Sequence, residues 1–257
     1  MPRYFLQMSY HGARYHGWQI QENTSITVQQ VLQEKLAKLL PEKEAFVMGC
    51  GRTDTGVHAL DFYAHFDTSR SGLHHDPHDF MFKLNRALPQ DIAIKKVHLV
   101  TEKANARFDA KARTYEYLIS RQKSPMYSDR SWMVYGNLNY DKMKQAANQL
   151  LGIRNFKSFV KANDQPFDND CLMMESDFYK NEDETIWVFR IKANRFLRNM
   201  VRAIVGTLVE VGKEKINLND FTEIINSKNR QMAGMSAPAQ GLYLVRVDYL
   251  DEIFINE

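Results

Sequence analysis

Cysteine is scarce in this chain: Cys50 and Cys171 are the only two among 257 residues. Two thiols in unrelated contexts provide neither a disulfide framework nor a metal-ligand spacing, and both are expected to be free. Long hydrophobic runs are absent too, and the longest fall well short of a membrane span. Met1-Pro2-Arg3-Tyr4 runs into strand-like sequence with no apolar signal region, so the expectation is a soluble, cytoplasmic protein. Neither the 7 prolines nor the 12 glycines are in excess, which excludes a fibrous or low-complexity chain. Charge of one sign is also lacking. The net charge is +3, too small to identify a nucleic-acid partner by itself.

What is present is an ordinary globular composition, 44% hydrophobic and 12% aromatic, long enough to bury a sizeable core. Phe5–Tyr10 reads as a strand, and Gly12 and Gly17 punctuate the turn region after it. Thr27–Leu40 reads as a helix, with Thr27 and Gln30 fitting a capping box and Pro41 ending it. Strands are expected at Ala45–Cys50, Phe62–Asp67 and Ile92–Val97, with a helix after Pro77 that carries Phe80, Leu84 and Leu88. The second half has a related rhythm: a strand at Thr114–Ser120, a helix at Tyr140–Leu151 closed by Gly152, and a hairpin of Cys171–Tyr179 with Ile186–Ala193. Helices follow at Phe196–Val211 and Leu218–Ser227, then a last strand at Leu242–Leu250. The pattern is that of an α+β protein with two similar halves, residues 1–105 and 106–257, each a mostly antiparallel sheet flanked by helices and packed as one body.

Three segments can carry chemistry. In Gly49-Cys50-Gly51-Arg52-Thr53-Asp54-Thr55-Gly56-Val57-His58-Ala59, glycines permit tight turns and close approach of a ligand. Asp54 can serve there as nucleophile or base, and Arg52 can hold a phosphate. The plainer alternative is a surface turn with an Asp cap. In Asn194-Arg195-Phe196-Leu197-Arg198-Asn199-Met200-Val201-Arg202, three arginines spaced by three and four share one face of the expected helix. No acid interrupts the wider group Arg190, Lys192, Arg195, Arg198 and Arg202, which favours phosphate binding over a merely solvated face. In Ala106 to Tyr117, basic residues interleave with Phe108, Tyr115 and Tyr117, as on a nucleic-acid surface, although one of the two tyrosines is expected to be core. His74, His75 and His78 lack the further ligands a metal site needs, and the methionines, Met173 and Met174 among them, read as core filler. No phosphate loop, dinucleotide fingerprint or Ser-His-Asp pattern is present, so no cofactor or metal is expected.

Gly51-Arg52-Thr53-Asp54-Thr55-Gly56-Val57-His58-Ala59 closely resembles the active-site motif of the tRNA pseudouridine synthase A family, which modifies uridines at positions 38 to 40 of the anticodon arm. The resemblance continues through Tyr15-His16-Gly17-Trp18-Gln19-Ile20-Gln21, Ala106-Arg107-Phe108, Arg113-Thr114-Tyr115-Glu116-Tyr117, the segment Phe196 to Gly212, and Ala237-Pro238-Ala239-Gln240-Gly241-Leu242-Tyr243-Leu244. It implies the pseudouridine synthase fold and an isomerase without cofactor or metal. Asp54 is then the catalytic aspartate, Arg202 its arginine partner, and Tyr115 the residue that stacks on the target base. Arg52 holds RNA and Leu242 lines the base pocket; from their own segments, Arg195, Arg198 and His58 are further expected to contribute to substrate binding. The N-terminal half carries the Asp54 loop; the C-terminal half carries the Tyr115 strand and the arginine helix. A homodimer gripping one tRNA is implied, with no membrane and no nucleotide cofactor. The chain departs from the family pattern at Thr55, where alanine is usual, at Arg195, and at Arg154-Asn155-Phe156. Three rivals stay open: a synthase with other RNA targets, a non-catalytic RNA-binding protein of the same fold, and an aspartate-dependent hydrolase. The last normally needs a second carboxylate, and after Asp54 the next is Asp61.

Overall fold

The computed structural model describes residues 1–22, 24, 26–75, 77–161 and 168–255, apart from the side chains of Pro77 and His78. In chain order the elements are β1 (Arg3–Tyr10), α1 (Val28–Ala37), β2 (Met48–Gly49), β3 (His58–Asp67), α2 (Pro77–Ala87) and β4 (Ile92–Val100). Then come β5 (Ala112–Ser120), β6 (Trp132–Met133), α3 (Tyr140–Asn148), β7 (Gly152–Asn155), β8 (Asp170–Lys180) and β9 (Ile186–Ala193). The last are α4 (Met200–Gly212), α5 (Leu218–Ser227) and β10 (Leu242–Asp248). The chain forms two compact units, Met1–Lys111 with Leu244–Glu257, and Ala112–Tyr243. The boundary thus lies six residues beyond the expected one at 105/106, and the C-terminal segment belongs with the first unit, because β10 runs beside β3.

In the first unit β1 is central, antiparallel to β3 on one side and β4 on the other. Tyr4-Phe5-Leu6 is therefore buried on both faces, a continuous apolar run rather than an alternating one. On one face Phe62 stacks with Trp18 at 4.2 Å, and Phe66 meets Phe80 of α2 at 6.4 Å. On the other, Phe5 meets Tyr63, His65, Tyr249 and Phe254 with ring centroids 5.5–6.5 Å apart, so the C-terminal residues close that side. Full burial of a ring such as Phe5, Phe62, Phe66 or Phe80 contributes roughly 1.5–3 kcal/mol. The strand expected at Ala45–Cys50 shrinks to β2. The reason lies in α1: Gln33 accepts from the Val47 amide at 3.1 Å and Gln29 donates to the Val47 carbonyl at 2.7 Å, occupying groups a ladder would use. Thr27 caps α1 as expected, accepting from the Gln30 amide at 3.2 Å. Gln30 instead donates to Glu34, so the return bond of a capping box is replaced.

In the second unit the strand order is β5-β9-β8-β7, antiparallel throughout, with β6 parallel to β5. All of α4 except Arg202 and Glu210 is buried, the mark of a central helix. It is enclosed by α3, whose Met143 meets Gly212, and by residues 234–237, which cross at Gly206. A Cβ on Gly206 would lie 1.7 Å from the Met235 carbonyl oxygen, so only glycine allows that crossing. Two expectations change here. The helix expected at Phe196–Val211 begins only at Met200, because Asn199 is left-handed at φ 66°. The helix expected over Tyr140–Leu151 stops at Asn148, and Gly152, at φ 90°, opens the short edge strand β7. Met173 is core as expected, but Met174 lies on the exposed side of β8.

Candidate active site

The loop between β2 and β3 presents Arg52 to solvent and leaves Asp54 half-buried. It rests on residues 10–18, which leave β1 and pass beneath it. Thr53 is held twice: its hydroxyl shares a hydrogen bond with that of Tyr10 at 2.9 Å, and its carbonyl accepts from the Trp18 amide at 3.3 Å. The Val57 amide donates to the Asp54 carbonyl at 3.1 Å, and the Gly56 amide to the Tyr15 carbonyl at 3.3 Å. The Tyr15 hydroxyl in turn donates to Asp91 at 2.5 Å, and burial and this bond push it above its ordinary pKa. His58 is 1% exposed, and its Nδ1 accepts from the Gly12 amide at 3.0 Å. That bond makes His58 an anchor between β3 and the chain that leaves β1. Glycine is required where the two segments touch: a Cβ on Gly12 would lie 1.9 Å from the Val57 oxygen.

In the second unit Tyr115, on β5, is 9% exposed and meets Phe196 edge-on at 5.0 Å. Its neighbour Tyr117 is fully buried, donates to the Pro238 carbonyl at 2.7 Å and lies where a Cβ on Gly241 would strike its ring. Tyr117 is therefore the core tyrosine of the pair. Burial raises its hydroxyl pKa well above the ordinary value, against the nearby charge of Arg202. Arg202 lies in the first turn of α4 and donates through Nε to the Ala237 carbonyl at 2.8 Å, while the Ala237 amide returns a bond to the Arg202 carbonyl at 2.9 Å. Leu242 is 6% exposed at the start of β10.

The expected arginine face is not formed as a face. Arg195 and Arg198 precede the helix, and Arg195 pairs with Asp168 at 3.3 Å. Arg190 is also matched, by Glu116 at 2.7 Å and Glu175 at 3.2 Å, because the strand register brings acids from β5 and β8 beside it. The stretch is free of acids only along the chain. Cys50 and Cys171 are both free and buried, and burial pushes the Cys171 thiol up to about 11. The His74 and His75 rings lie 3.9 Å apart, tilted by 40°, while the side chain of His78, the third member of that trio, lies outside the described residues. Among the described residues no three metal-ligating side chains cluster, and no helix is long and apolar enough to cross a membrane.

The profile of a family described as tRNA pseudouridine synthase matches residues 146–250. A tRNA pseudouridine synthase A from Bacteroides fragilis is 48% identical over 254 residues, covering 99% of both chains. The chain belongs to the tRNA pseudouridine synthase A family. Proteins of the same name from Bacteroides thetaiotaomicron and Thermoanaerobacter pseudethanolicus are 45% and 38% identical, covering 100% and 97% of this chain and 94% and 100% of theirs.

Family membership gives the cradle under the Asp54 loop its meaning, since the Tyr15 to Gln21 motif supplies Gly17 and Trp18 at the loop's underside. Motif reading by itself missed Tyr10 and gave no role to the Trp18 amide; both belong to this support. The structure places the three departures as follows. Thr55 is exposed. Arg195 is taken up by Asp168, and Asn155 donates to Asp170 at 2.8 Å across the edge pair β7–β8.

Proposed function

We propose that this protein isomerises uridine to pseudouridine in tRNA, at positions 38 to 40 of the anticodon arm, with Asp54 as the catalytic carboxylate. The observation that carries the reading is the near-complete coverage by a relative named tRNA pseudouridine synthase A, joined to an Asp54 loop braced along its length.

The reaction breaks the bond from C1′ to N1, turns the base, and forms a bond from C1′ to C5. The C5 proton leaves and N1 gains one, so atoms and electrons balance with no oxidant and no added group. The target nucleotide must first leave the stack, which costs on the order of a few kcal/mol. Tyr115 is assigned to offset part of that cost by stacking on the base and to receive the C5 proton. By family likeness, Arg202 is assigned as the positive partner of Asp54 and Leu242 as an apolar wall for the base. Arg52 and Arg198 hold phosphates of the RNA. Arg195 contributes to that grip only when RNA competes with Asp168. The protein acts in the cytoplasm as a homodimer on one tRNA.

Mapping pseudouridine in tRNA from cells lacking this protein tests the reading. Restoration at positions 38 to 40 by the wild-type chain, and not by Asp54→Asn, is the expected result. Restoration at other sites alone would replace the target while keeping the chemistry. No restoration anywhere, with RNA still bound, would favour a binding protein.

A further inference from the structure

Resting on the reading of Asp54 as the catalytic carboxylate, we infer that Tyr10 and Thr53 form a positioning pair, through the single hydrogen bond between their hydroxyls, that fixes the aim of the Asp54 side chain.

Thr53 is the residue immediately before Asp54, so its backbone angles set the direction in which the carboxylate projects. Both ends of Thr53 are held. The Trp18 amide holds its carbonyl at 3.3 Å, and the Tyr10 hydroxyl holds its Oγ at 2.9 Å. Beyond Asp54 the chain is fixed again by the turn bond from Val57 and by the bond from Gly56 to Tyr15. The carboxylate therefore stands on a short span braced on both sides.

Tyr10 is a rigid post for this purpose. It ends β1, the central strand of its unit, and is 4% exposed. Its ring lies 5.5 Å from Phe62 and 6.4 Å from Trp18, and those two rings stack at 4.2 Å. Gly49 closes the group, since a Cβ there would fall 2.5 Å from the Trp18 ring. The register of β1 against β3 shifts between Met8 and Tyr10, an irregularity of the kind that re-aims a side chain. A hydroxyl carried on so fixed a ring transfers its position to Thr53.

The ring of Tyr10 makes the packing contacts with Trp18 and Phe62, so removing the hydroxyl leaves that packing in place. The pair thus separates from plain stability. An error of about 1 Å in a reacting group can cost on the order of a hundredfold in rate while substrate binding is kept.

Steady-state kinetics on anticodon-arm tRNA with full-length Tyr10→Phe, Thr53→Val, Thr53→Ser and the Tyr10→Phe/Thr53→Val double variant tests the pair, with Asp54→Asn alongside. Tyr10→Phe and Thr53→Val are each expected to lower kcat by roughly ten- to a hundredfold, with KM and melting temperature nearly those of wild type. Thr53→Ser keeps the hydroxyl and is expected to retain most of kcat. The double variant is expected to match the single ones, because each breaks the same bond. Wild-type kcat in both Tyr10→Phe and Thr53→Val would overturn the pair, as would a loss that Thr53→Ser shares or one that follows the melting temperature. With Asp54→Asn inactive, any of those results removes the pair and leaves the carboxylate assigned. An active Asp54→Asn would remove the carboxylate and the pair together.

Discussion

Gly17 lies against the carbonyl of Thr53 so closely that a Cβ there would come within 2.3 Å of the oxygen. Its φ of +84° is also one that glycine adopts and other residues pay for by about 1–2 kcal/mol. The Asp54 loop can therefore settle onto its support only if residue 17 has no side chain. Gly17→Ala is expected to reduce turnover at least tenfold and to lower stability by about 2 kcal/mol or more. Urea denaturation read beside turnover checks both; wild-type values for the two would mean that the loop does not need this contact.

Arg202 has two kinds of work, and they can be separated. Its Nε bond to the Ala237 carbonyl at 2.8 Å is structural. Losing it should cost about 1 kcal/mol, or about 2–4 °C in melting temperature. The role proposed for it in catalysis is chemical. Arg202→Met should therefore reduce turnover a hundredfold or more with only that small fall in melting temperature. A melting temperature that collapses along with activity would leave the arginine as a structural tie alone.

The two tyrosines of β5 should divide in the opposite sense. Tyr117→Phe removes the bond to the Pro238 carbonyl from a fully buried ring, so it should cost about 1–2 kcal/mol of stability and less than tenfold in turnover. Tyr115→Phe keeps the ring against Phe196 and should cost turnover far more than stability, since the proposed role of its hydroxyl is to receive the C5 proton. Paired thermal melts and rate measurements decide this, and identical behaviour of the two variants would refute the division of labour.

Acid should weaken the first unit between pH 6.5 and 4 through two buried histidines. Burial lowers the pKa of His65 and His98 from 6.5 to about 4, helped at His65 by Arg3 and at His98 by Lys96. The unfolded chain binds protons at these sites near pH 6.5 and the folded one only near pH 4, so stability falls as pH drops through that interval and is flat above it. The Asp67 carboxyl, held below its ordinary range by its hydrogen bond from Arg3, is protonated only at lower pH. His65→Asn, which keeps an acceptor for the Ala106 amide, combined with His98→Gln should flatten the profile between pH 6.5 and 4. An unchanged slope in the double variant would place the acid sensitivity elsewhere.

Much of the fold was legible because local pattern and packing agree. Ile186–Ala193 and Leu218–Ser227 fall where their periodicity puts them, and Phe80 and Leu84 bury the face their spacing predicts. What escaped was set by distant parts of the chain. The short strands β6 and β7 carry no period of their own and exist because β5 and β8 offer an edge. The late start of α4 depends on Asn199 adopting φ 66°, with its side chain donating to Ser236 at 2.7 Å. The arginine run looked like a cationic face because Glu116, Asp168 and Glu175 reach it only through the fold. At the candidate site, Asp54 and Arg52 were legible because the motif is contiguous. The brace was not: Tyr10 and Thr53 are 43 residues apart, and neither carries a signal of its own. The capping box of Asn217 and Asp220 on α5 was readable in principle from its spacing.

The central claim is that Asp54 drives an isomerisation in which C5 of uridine loses its hydrogen to a new carbon–carbon bond. Tritium release from anticodon-arm tRNA labelled at C5 of uridine, with wild type beside Asp54→Asn, measures that event. The account predicts release by wild type without added metal or nucleotide, and none by Asp54→Asn although it still binds the RNA. Comparable release by Asp54→Asn, or free uracil appearing in place of pseudouridine, would contradict it.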